Sequence, residues 1–422
     1  MEDRLPVYIG RGAIAELIAY CKSNRLDKFV LVADQNTYAA LGHSVVKALQ
    51  AAECDVIAVV LQGDEVIADE HYVVQVLTRA DRANRTYLAV GGGTVTDISR
   101  FVSHRTRNDF IALPTAPSVD GFTSLGAPLV VEGLKQTFIC HAPRALFADL
   151  ETLCAAPQHL IAAGFGDMIG KILSVTDWKL GHILWDEPYD EPIAQQFLAA
   201  ANACAAQAHD IGARSEGGVR TLIAGLIESG FGMLDFGNSA PASGAEHHMS
   251  HFWEMKLLRE KRPAILHGAK VGVASILTAQ RHHTLTQLTR DQIAQQMQWA
   301  RLPPREQQEQ NIRRAYGSVA EEVIREHTLF LAMTESEFNQ LRQRVIDCWT
   351  QVQESARAVP SPRQLIDWLK SVGGQVDGRA LGLNDLEMAS ALESSHYLRN
   401  RLTINKLWFM LGMPPTSTGA VG

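Results

Sequence analysis

Paired cysteines, long apolar runs and an excess of basic residues are all missing from this sequence. Its 422 residues include six cysteines and no C-x-x-C pair, so neither a zinc knuckle nor a disulfide framework is indicated. No apolar run reaches the length of a membrane span, and the first residues, MEDRLPVYIG, contain no apolar signal core. The net charge of −7 argues against a nucleic-acid-binding surface. These absences predict a cytoplasmic protein that neither inserts into a membrane nor binds nucleic acid.

The composition that remains, 46% hydrophobic and 20% charged, is that of a globular protein too long for one compact core. Short apolar runs alternate with amphipathic helical stretches over the first 150 residues, which predicts a parallel sheet with helices on both faces. A hairpin is expected over residues 129–138, with Glu132 and Gly133 at its turn. The predicted strands of the sheet are 29–33, 56–61, 87–90, 110–113 and 146–148.

The pattern changes after about residue 155, where strand-like runs give way to helical periodicity. We therefore predict a Rossmann-like α/β dinucleotide-binding domain over residues 1–156. An all-α domain that binds metal and substrate is expected over residues 157–422. The predicted helices of the second half are 193–208, 219–236, 270–278, 290–300, 335–355, 362–371 and 390–411.

The run GGGTVTDIS, residues 91–99, follows the predicted strand 87–90 and precedes a helical pattern. Glycines allow the backbone to approach a pyrophosphate closely, and the free N–H groups at a helix start face such an anion. The run does not match G-x-G-x-x-G, so a plain tight turn between strand and helix stays open.

Asp34 follows the predicted strand 29–33 and is a candidate for the adenosine ribose of a dinucleotide. An acidic side chain at that position accepts hydrogen bonds from the ribose and repels a 2′-phosphate. The alternative is a turn that begins at Asp34, because aspartate favours such turns.

Three separate segments of the second half carry side chains suited to a metal ion. These are Asp167 in GFGDMIGK, His247 and His251 in SGAEHHMSH, and His267 in LHGAKVG. The spacing of His247 and His251 places both on one helix face. A mixed oxygen and nitrogen set suits zinc or nickel at a catalytic site. The alternatives are a helix cap at Asp167, a surface cluster of histidines, and a loop histidine at 267.

Taken together, these motifs resemble the glycerol-1-phosphate dehydrogenase family, within the superfamily of iron-dependent alcohol dehydrogenases and dehydroquinate synthase. The resemblance covers most of the chain and follows the family's order of motifs. The matching segments are GGGTVTD at 91–97, PTAPSVDGFTS at 114–124, GFGDMIGK at 164–171, PASGAEHHMSH at 241–251, HGAKVG at 267–272 and HYLRNRLTI at 396–404.

The resemblance implies roles for individual residues. The metal ligands fall on Asp167, His247 and His267, the catalytic residues on Asp120 and His251, and the substrate contacts on Asp120, Asp167 and His251. Two departures from the family pattern, Val119 and Ala269, remove no ligand. The implied cofactor contacts, to which the strand-end position adds Asp34, are Gly91, Gly92, Gly93, Thr94, Val95, Thr115, Ser118 and Ser124.

The implied activity is a metal-dependent, NAD(H)- or NADP(H)-linked interconversion of dihydroxyacetone phosphate and sn-glycerol 1-phosphate, a reaction of phospholipid metabolism. The resemblance also implies one divalent ion (zinc, nickel or iron), a small phosphorylated substrate and a homodimer. Three alternatives stay open: a dehydrogenase of an unphosphorylated polyol or other alcohol, a lyase resembling dehydroquinate synthase, and a binding protein without catalysis. Lys171, Arg262 and Lys270 are the candidate partners of the substrate's phosphate.

Overall fold

The computed structural model describes residues 4–63, 65–132, 134–414 and 416. The chain divides into two compact units, the first of Met1–Gly164 with Gln207–Leu234 and the second of Phe165–Ala206 with Asp235–Gly422. The single domain boundary at residues 156–157 stays a prediction. No helix among the described residues is long and apolar enough to cross a membrane.

Strands occur only in the first unit of the described chain. They are β1 Val7–Gly10, β2 Lys28–Asp34, β3 Asp55–Leu61, β4 Thr86–Gly91, β5 Phe110–Pro114, β6 Gly126–Val131, β7 Leu134–Ile139 and β8 Ala145–Asp149. Six of them form one sheet in the order β1-β8-β5-β4-β2-β3, and every neighbouring pair is parallel. The predicted parallel sheet is confirmed.

Helices complete the first unit and make up the second. They are α1 Ala13–Ser23, α2 Gln35–Thr37, α3 His43–Ala51, α4 Glu70–Arg79, α5 Gly93–Arg105, α6 Leu150–Ala155, α7 Gln158–Trp185, α8 Glu191–Ala206, α9 Ala208–Gly212, α10 Glu216–Phe236, α11 Ala245–Arg259, α12 His267–Gln287, α13 Arg290–Trp299, α14 Arg305–Tyr316, α15 Ala320–Glu326, α16 Thr328–Leu331, α17 Glu335–Asp347, α18 Trp349–Arg357, α19 Pro362–Ser371, α20 Asp385–Ser394 and α21 Ile404–Met410.

The sheet is buried on both faces, as expected for a parallel sheet covered by helices. All residues of β4 and β5 are buried, which explains their unbroken apolar sequence. One face packs against α10, whose Val219, Ile223 and Ile227 join the core of the first unit. The predicted hairpin is confirmed as β6 and β7, although Gly133 of its turn lies outside the described residues.

The fold of the second unit depends on α7, a helix of 28 residues that continues from the first unit. Asp167 lies inside this helix and not at its start, so the alternative of a helix cap at Asp167 is wrong. The prediction that the second half is rich in helices is confirmed. The single helix predicted over 390–411 is wrong, because the chain leaves helical geometry between α20 and α21.

Two carboxylates explain that break. Asp177 Oδ1 accepts a hydrogen bond from the Ile404 backbone N–H at 2.8 Å, and Glu187 Oε1 accepts one from the Leu402 N–H at 2.6 Å. These tertiary partners replace the intrahelical carbonyls, so a new helix begins at Ile404.

Close helix packing in the second unit requires glycine at position 166. A Cβ placed on Gly166 of α7 would lie 2.3 Å from the carbonyl oxygen of Gly268 in α12, and that oxygen belongs to a rigid backbone. The two helices therefore approach each other at a point where no side chain fits.

We expect Gly166→Ala to destabilise the protein by about 1–3 kcal/mol, because the helices must separate to admit the methyl group. The matched control is Gly217→Ala, since a Cβ at this exposed helical position meets nothing within 4 Å. The control should hold or slightly raise the melting temperature. Equal melting temperatures for the two variants would contradict the packing argument.

Candidate metal centre and cofactor-binding edge

Three helices of the second unit bring Asp167, His247 and His267 together. Asp167 lies within α7, His247 in the first turn of α11, and His267 is the first residue of α12. One ligand atom from each side chain lies within 4.8 Å of the other two. Asp167 and His247 are buried, whereas His267 is half-buried. The structure thus assembles the three side chains that the sequence singled out from distant segments.

A buried ammonium group lies in the same cluster. Lys171 Nζ donates to Asp167 Oδ1 at 2.8 Å and to the Ala242 carbonyl at 3.2 Å, and it lies 3.4 Å from His247 Nε2. The side chain of Lys171 is fully buried, one helical turn beyond Asp167. A positive charge therefore lies against two of the three clustered side chains.

The hydrogen bond of His247 to a neighbouring carboxylate fixes which ring nitrogen faces the cluster. His247 Nδ1 lies 2.7 Å from Glu246 Oε1, so a proton on Nδ1 is donated to that carboxylate. Nε2 then carries a lone pair and lies 3.3 Å from Asp167 Oδ1. Two acceptors so close to each other need a shared cation, and the Lys171 ammonium is that cation here. The same oxygen and nitrogen donors, with His267, are of the types that bind a divalent ion.

The protonation of Asp167 and His267 also suits cation binding. Burial opposes ionisation of Asp167, but the attraction of the Lys171 ammonium outweighs it, and the pKa of Asp167 is lowered. Burial holds the pKa of His267 well below its ordinary value. A carboxylate and a neutral imidazole are the forms that coordinate a metal.

Glu246 is a residue of this cluster that the sequence reasoning missed. Its side chain is fully buried, and besides His247 it accepts the Gly244 backbone N–H at 3.0 Å. A carboxylate behind a ligating histidine sets the ring's orientation and raises its basicity. Its place directly before His247 in the sequence was the available signal.

His251 lies one turn after His247 on α11 and belongs to a second polar group. Its Nδ1 lies 3.1 Å from Glu254 Oε2, and Glu254 Oε1 lies 3.5 Å from Lys270 Nζ. The rings of His251 and His267 have centroids 5.4 Å apart. Because Glu254 accepts from Nδ1, the Nε2 atom of His251 is left to face other partners.

The contacts of Lys171, Lys270 and Arg262 distinguish these three candidate partners of the substrate's phosphate. Lys171 lies against Asp167 and His247, and Lys270 lies beside Glu254, as described above. Arg262 instead forms ion pairs with Glu260 at 3.0 Å and with Glu387. Arg262 is thereby engaged elsewhere on the second unit.

The predicted cofactor residues of the first unit collect at one edge of the sheet. Asp34, Gly91 and Pro114 end the adjacent strands β2, β4 and β5. Gly92 is the N-cap of α5, so the predicted order of strand, glycine turn and helix is confirmed. The carboxyl ends of parallel strands beside a helix start are the usual place for a dinucleotide.

The residues at this edge of the sheet differ in which backbone or side-chain groups are available to a cofactor. Thr94 and Val95 lie in the first turn of α5, where backbone N–H groups lack helical partners. The Val95 side chain is buried in the sheet core, so it offers no side-chain contact to a cofactor. Asp34 Oδ1 caps α2 through the Thr37 N–H at 2.8 Å, which is the turn alternative, and its ribose contact stays a prediction.

The loop after β5 carries the remaining predicted residues. The Thr115 N–H donates to the Gly91 carbonyl at 3.2 Å, and a Cβ on Gly92 would lie 3.7 Å from Ser118 Oγ. Both hydroxyl residues therefore adjoin the glycine turn. Ser124 Oγ instead donates to the Gly121 carbonyl at 3.2 Å.

Asp120 lies in the same loop and is held by a helix of the first unit. Ser229 of α10, which is buried, donates its hydroxyl to Asp120 Oδ2 at 2.8 Å. Ser229 was not found from the sequence, because 109 residues separate it from its partner.

Comparison with known proteins places this geometry in a class. A family profile described as iron-containing alcohol dehydrogenase matches residues 8–157. The solved structure of an NADH-dependent butanol dehydrogenase A from Thermotoga maritima covers all of this chain and 95% of its own, with a TM-score of 0.61 at 14% identity. The chain therefore has the fold of the iron-containing alcohol dehydrogenases.

Sequence relatives narrow the class to a family. Glycerol-1-phosphate dehydrogenase, NAD(P)+, of Geobacillus thermodenitrificans is 37% identical over 94% of this chain and 90% of its own length. The protein of the same name from Halalkalibacterium halodurans is 38% identical, with the same coverage of both chains. The chain belongs to the glycerol-1-phosphate dehydrogenase family, and the resemblance inferred from its motifs is confirmed.

We expect Glu246→Gln to weaken metal binding by about 10- to 100-fold, because an amide supports the His247 ring less well than a carboxylate. Competition against a coloured chelator measures this affinity without an activity assay. His247→Ala serves as the reference for loss of a ligand and should bind less metal still. An affinity unchanged in Glu246→Gln would contradict the orienting role.

Gly92→Val is expected to weaken NADH binding while metal content stays at the wild-type level. The added Cβ meets only ordinary contacts, so the fold is kept, but the branched side chain blocks the approach of a pyrophosphate. Fluorescence titration with NADH measures the effect. The same affinity as the wild type would count against a phosphate-binding turn.

Proposed function

We propose that this protein is a metal-dependent, NAD(P)H-linked oxidoreductase that interconverts dihydroxyacetone phosphate and sn-glycerol 1-phosphate. The observation that carries the proposal is the convergence of Asp167, His247 and His267 in a chain of this family. We expect it to act in the cytoplasm as a homodimer.

The proposed ligands of the divalent ion, which is zinc, nickel or iron, are Asp167, His247 and His267. When bound, such an ion supplies Lewis-acid stabilisation of negative charge on the reacting oxygen, and a nicotinamide supplies or accepts the hydride. Lys171 neutralises Asp167 within the cluster, so the carboxylate stays ionised and ready for a stronger cation.

The cofactor role falls to the carboxyl edge of the sheet. The glycines 91–93 and the free N–H groups of α5 bind the pyrophosphate, and the hydroxyls of Thr115, Ser118 and Ser124 surround the cofactor. Asp34 is proposed to accept hydrogen bonds from the ribose. Together these contacts hold the nicotinamide in one orientation. Such positioning of the reacting groups lowers the barrier to hydride transfer.

His251 and Asp120 are the proposed residues for substrate orientation and proton transfer. The bond from His251 Nδ1 to Glu254 keeps Nε2 as the atom that holds or accepts the proton. Ser229 fixes the Asp120 carboxylate, which orients a substrate hydroxyl. Each of the two side chains therefore has its orientation already set within its own unit.

We expect His251→Ala to retain the full metal content and to lose turnover by about 100-fold or more, because the proton then lacks a positioned carrier. His283→Ala is the matched control, since His283 lies on the exposed face of α12. Metal analysis and steady-state kinetics of the two variants test this role. Loss of metal in His251→Ala would make His251 a ligand and contradict its assignment to the substrate.

Reduction of dihydroxyacetone phosphate tests the function itself. If the phosphate makes two charge-assisted hydrogen bonds of about 1.5–3 kcal/mol each, kcat/KM should exceed that of dihydroxyacetone at least about a hundredfold. Assays with NADH and NADPH, each with zinc or nickel, measure this ratio. The product should resist oxidation by an enzyme specific for sn-glycerol 3-phosphate.

Other results would favour the alternatives. Similar rates with the phosphorylated and free ketones would indicate a polyol or other alcohol as the substrate. A reaction without net change in NADH would indicate a lyase resembling dehydroquinate synthase. Metal-loaded protein that binds cofactor and turns over none of these substrates would indicate a binding protein.

A further inference from the structure

A cavity of about 700 Å³ lies within the second unit, lined by residues of α11, α12, α14, α20 and α21. None of the proposed metal ligands lines it. Arg281 of its wall lies about 21 Å from His267 along α12, given a rise of about 1.5 Å per residue. The cavity is thus separate from the metal centre, although α11 and α12 serve both.

Arg281 is the most buried cation of this wall. It is 2% exposed, and its Nη1 donates to the Leu392 carbonyl at 3.1 Å and to Asn405 Oδ1 at 2.9 Å. Its Nε donates to Thr416 Oγ1 at 2.9 Å, and its guanidinium lies 5.1 Å from the centre of the Trp408 ring. Within the described part of the chain, Nη2 has no hydrogen-bond partner, and no carboxylate lies within 4 Å of the guanidinium.

Two further arginines of the cavity wall also lack a carboxylate partner among the described residues. Arg259 Nη2 donates to the Ala315 carbonyl at 3.2 Å, and no carboxylate among the described residues pairs with it. Arg314 is exposed and makes no hydrogen bond or ion pair within the described segments. Three guanidinium groups therefore line one cavity without a carboxylate partner.

The other charged groups of the wall do not balance these three. Lys256 and Glu387 lie 3.6 Å apart, and each has a further partner, Glu260 for Lys256 and Arg262 for Glu387. Glu393 remains as one carboxylate against three arginines. Burial lowers the pKa of Arg281 to about 9, and the attraction of Glu393 offsets only part of that effect.

We propose that this cavity binds a phosphate-bearing small molecule. Guanidinium groups bind phosphate oxygens through paired hydrogen bonds, and the rings of Phe252, Tyr397 and Trp408 provide apolar surface for the rest of the molecule. The volume of the cavity lies within the range of small-molecule sites. A bound anion would complete the hydrogen bonds of Arg281 and balance the charge of Arg259 and Arg314.

Titration with inorganic pyrophosphate tests the proposal on the full-length chain saturated with NADH and metal, at constant ionic strength. Arg314→Gln and Arg259→Gln should each weaken the calorimetric affinity by about tenfold or more. Arg313→Gln is the matched control, because Arg313 adjoins Arg314 on α14, pairs with Glu309 and Glu321, and does not line the cavity. The control should bind pyrophosphate as the wild type does.

Two further measurements separate this site from the substrate site and from misfolding. kcat and KM for dihydroxyacetone phosphate should be unchanged in all three variants. Pyrophosphate should raise the melting temperature of the wild type and Arg313→Gln more than that of Arg314→Gln. The proposal is overturned if the wild type binds no pyrophosphate, or if Arg314→Gln and Arg259→Gln bind it as tightly as Arg313→Gln.

Discussion

The charge of Asp167, which is fully buried inside a helix, is the constraint on which the second unit depends. A buried carboxylate without partners would cost several kcal/mol, so cations and hydrogen-bond donors must surround it. Lys171 meets that need one turn further along the same helix, while His247 and His267 converge on the carboxylate from two other helices. The same convergence that stabilises the charge creates the proposed metal centre.

Glycine allows those helices to come close enough. A Cβ on Gly170 of α7 would lie 2.6 Å from Val271 of α12, and one on Gly244 would lie 2.7 Å from Glu246 Oε2. The start of α11 is further held by Asp177, whose Oδ2 accepts the Ala245 N–H at 2.8 Å. Because the same carboxylate also holds the start of α21, one buried residue of α7 sets the position of two other helices. The histidines of α11 are thereby placed by backbone contacts before any ion binds.

The sequence predicted those strands and helices that are determined by the hydrophobic pattern of neighbouring residues. Apolar runs in alternation with helical patterns predicted five strands of the sheet, because four of them, β2, β4, β5 and β8, are almost entirely buried and the edge strand β3 is partly buried. The strand Val7–Gly10 was missed, since it has four residues, lies at the sheet edge and has one fully buried residue. The helix predicted over 390–411 was wrong because Asp177 and Glu187, distant in sequence, bind its backbone.

The site was predictable in its ligand types and not in its supporting contacts. Aspartate and histidine in separate motifs indicated a metal, and a resemblance assigned their roles. Glu246 and Glu254 adjoin these residues in sequence, but which histidine nitrogen each one holds depends on rotamers that no spacing reveals. Ser229 reaches Asp120 only because α10 packs in the first unit.

The most direct test of this account is a crystal structure of the metal-loaded protein with anomalous data collected on both sides of the metal's absorption edge. The account predicts one anomalous peak within about 2.0–2.2 Å of an Asp167 oxygen, His247 Nε2 and a His267 ring nitrogen, with Lys171 Nζ displaced from its present place. A fully loaded, active enzyme whose anomalous peak lies away from these three side chains would contradict it.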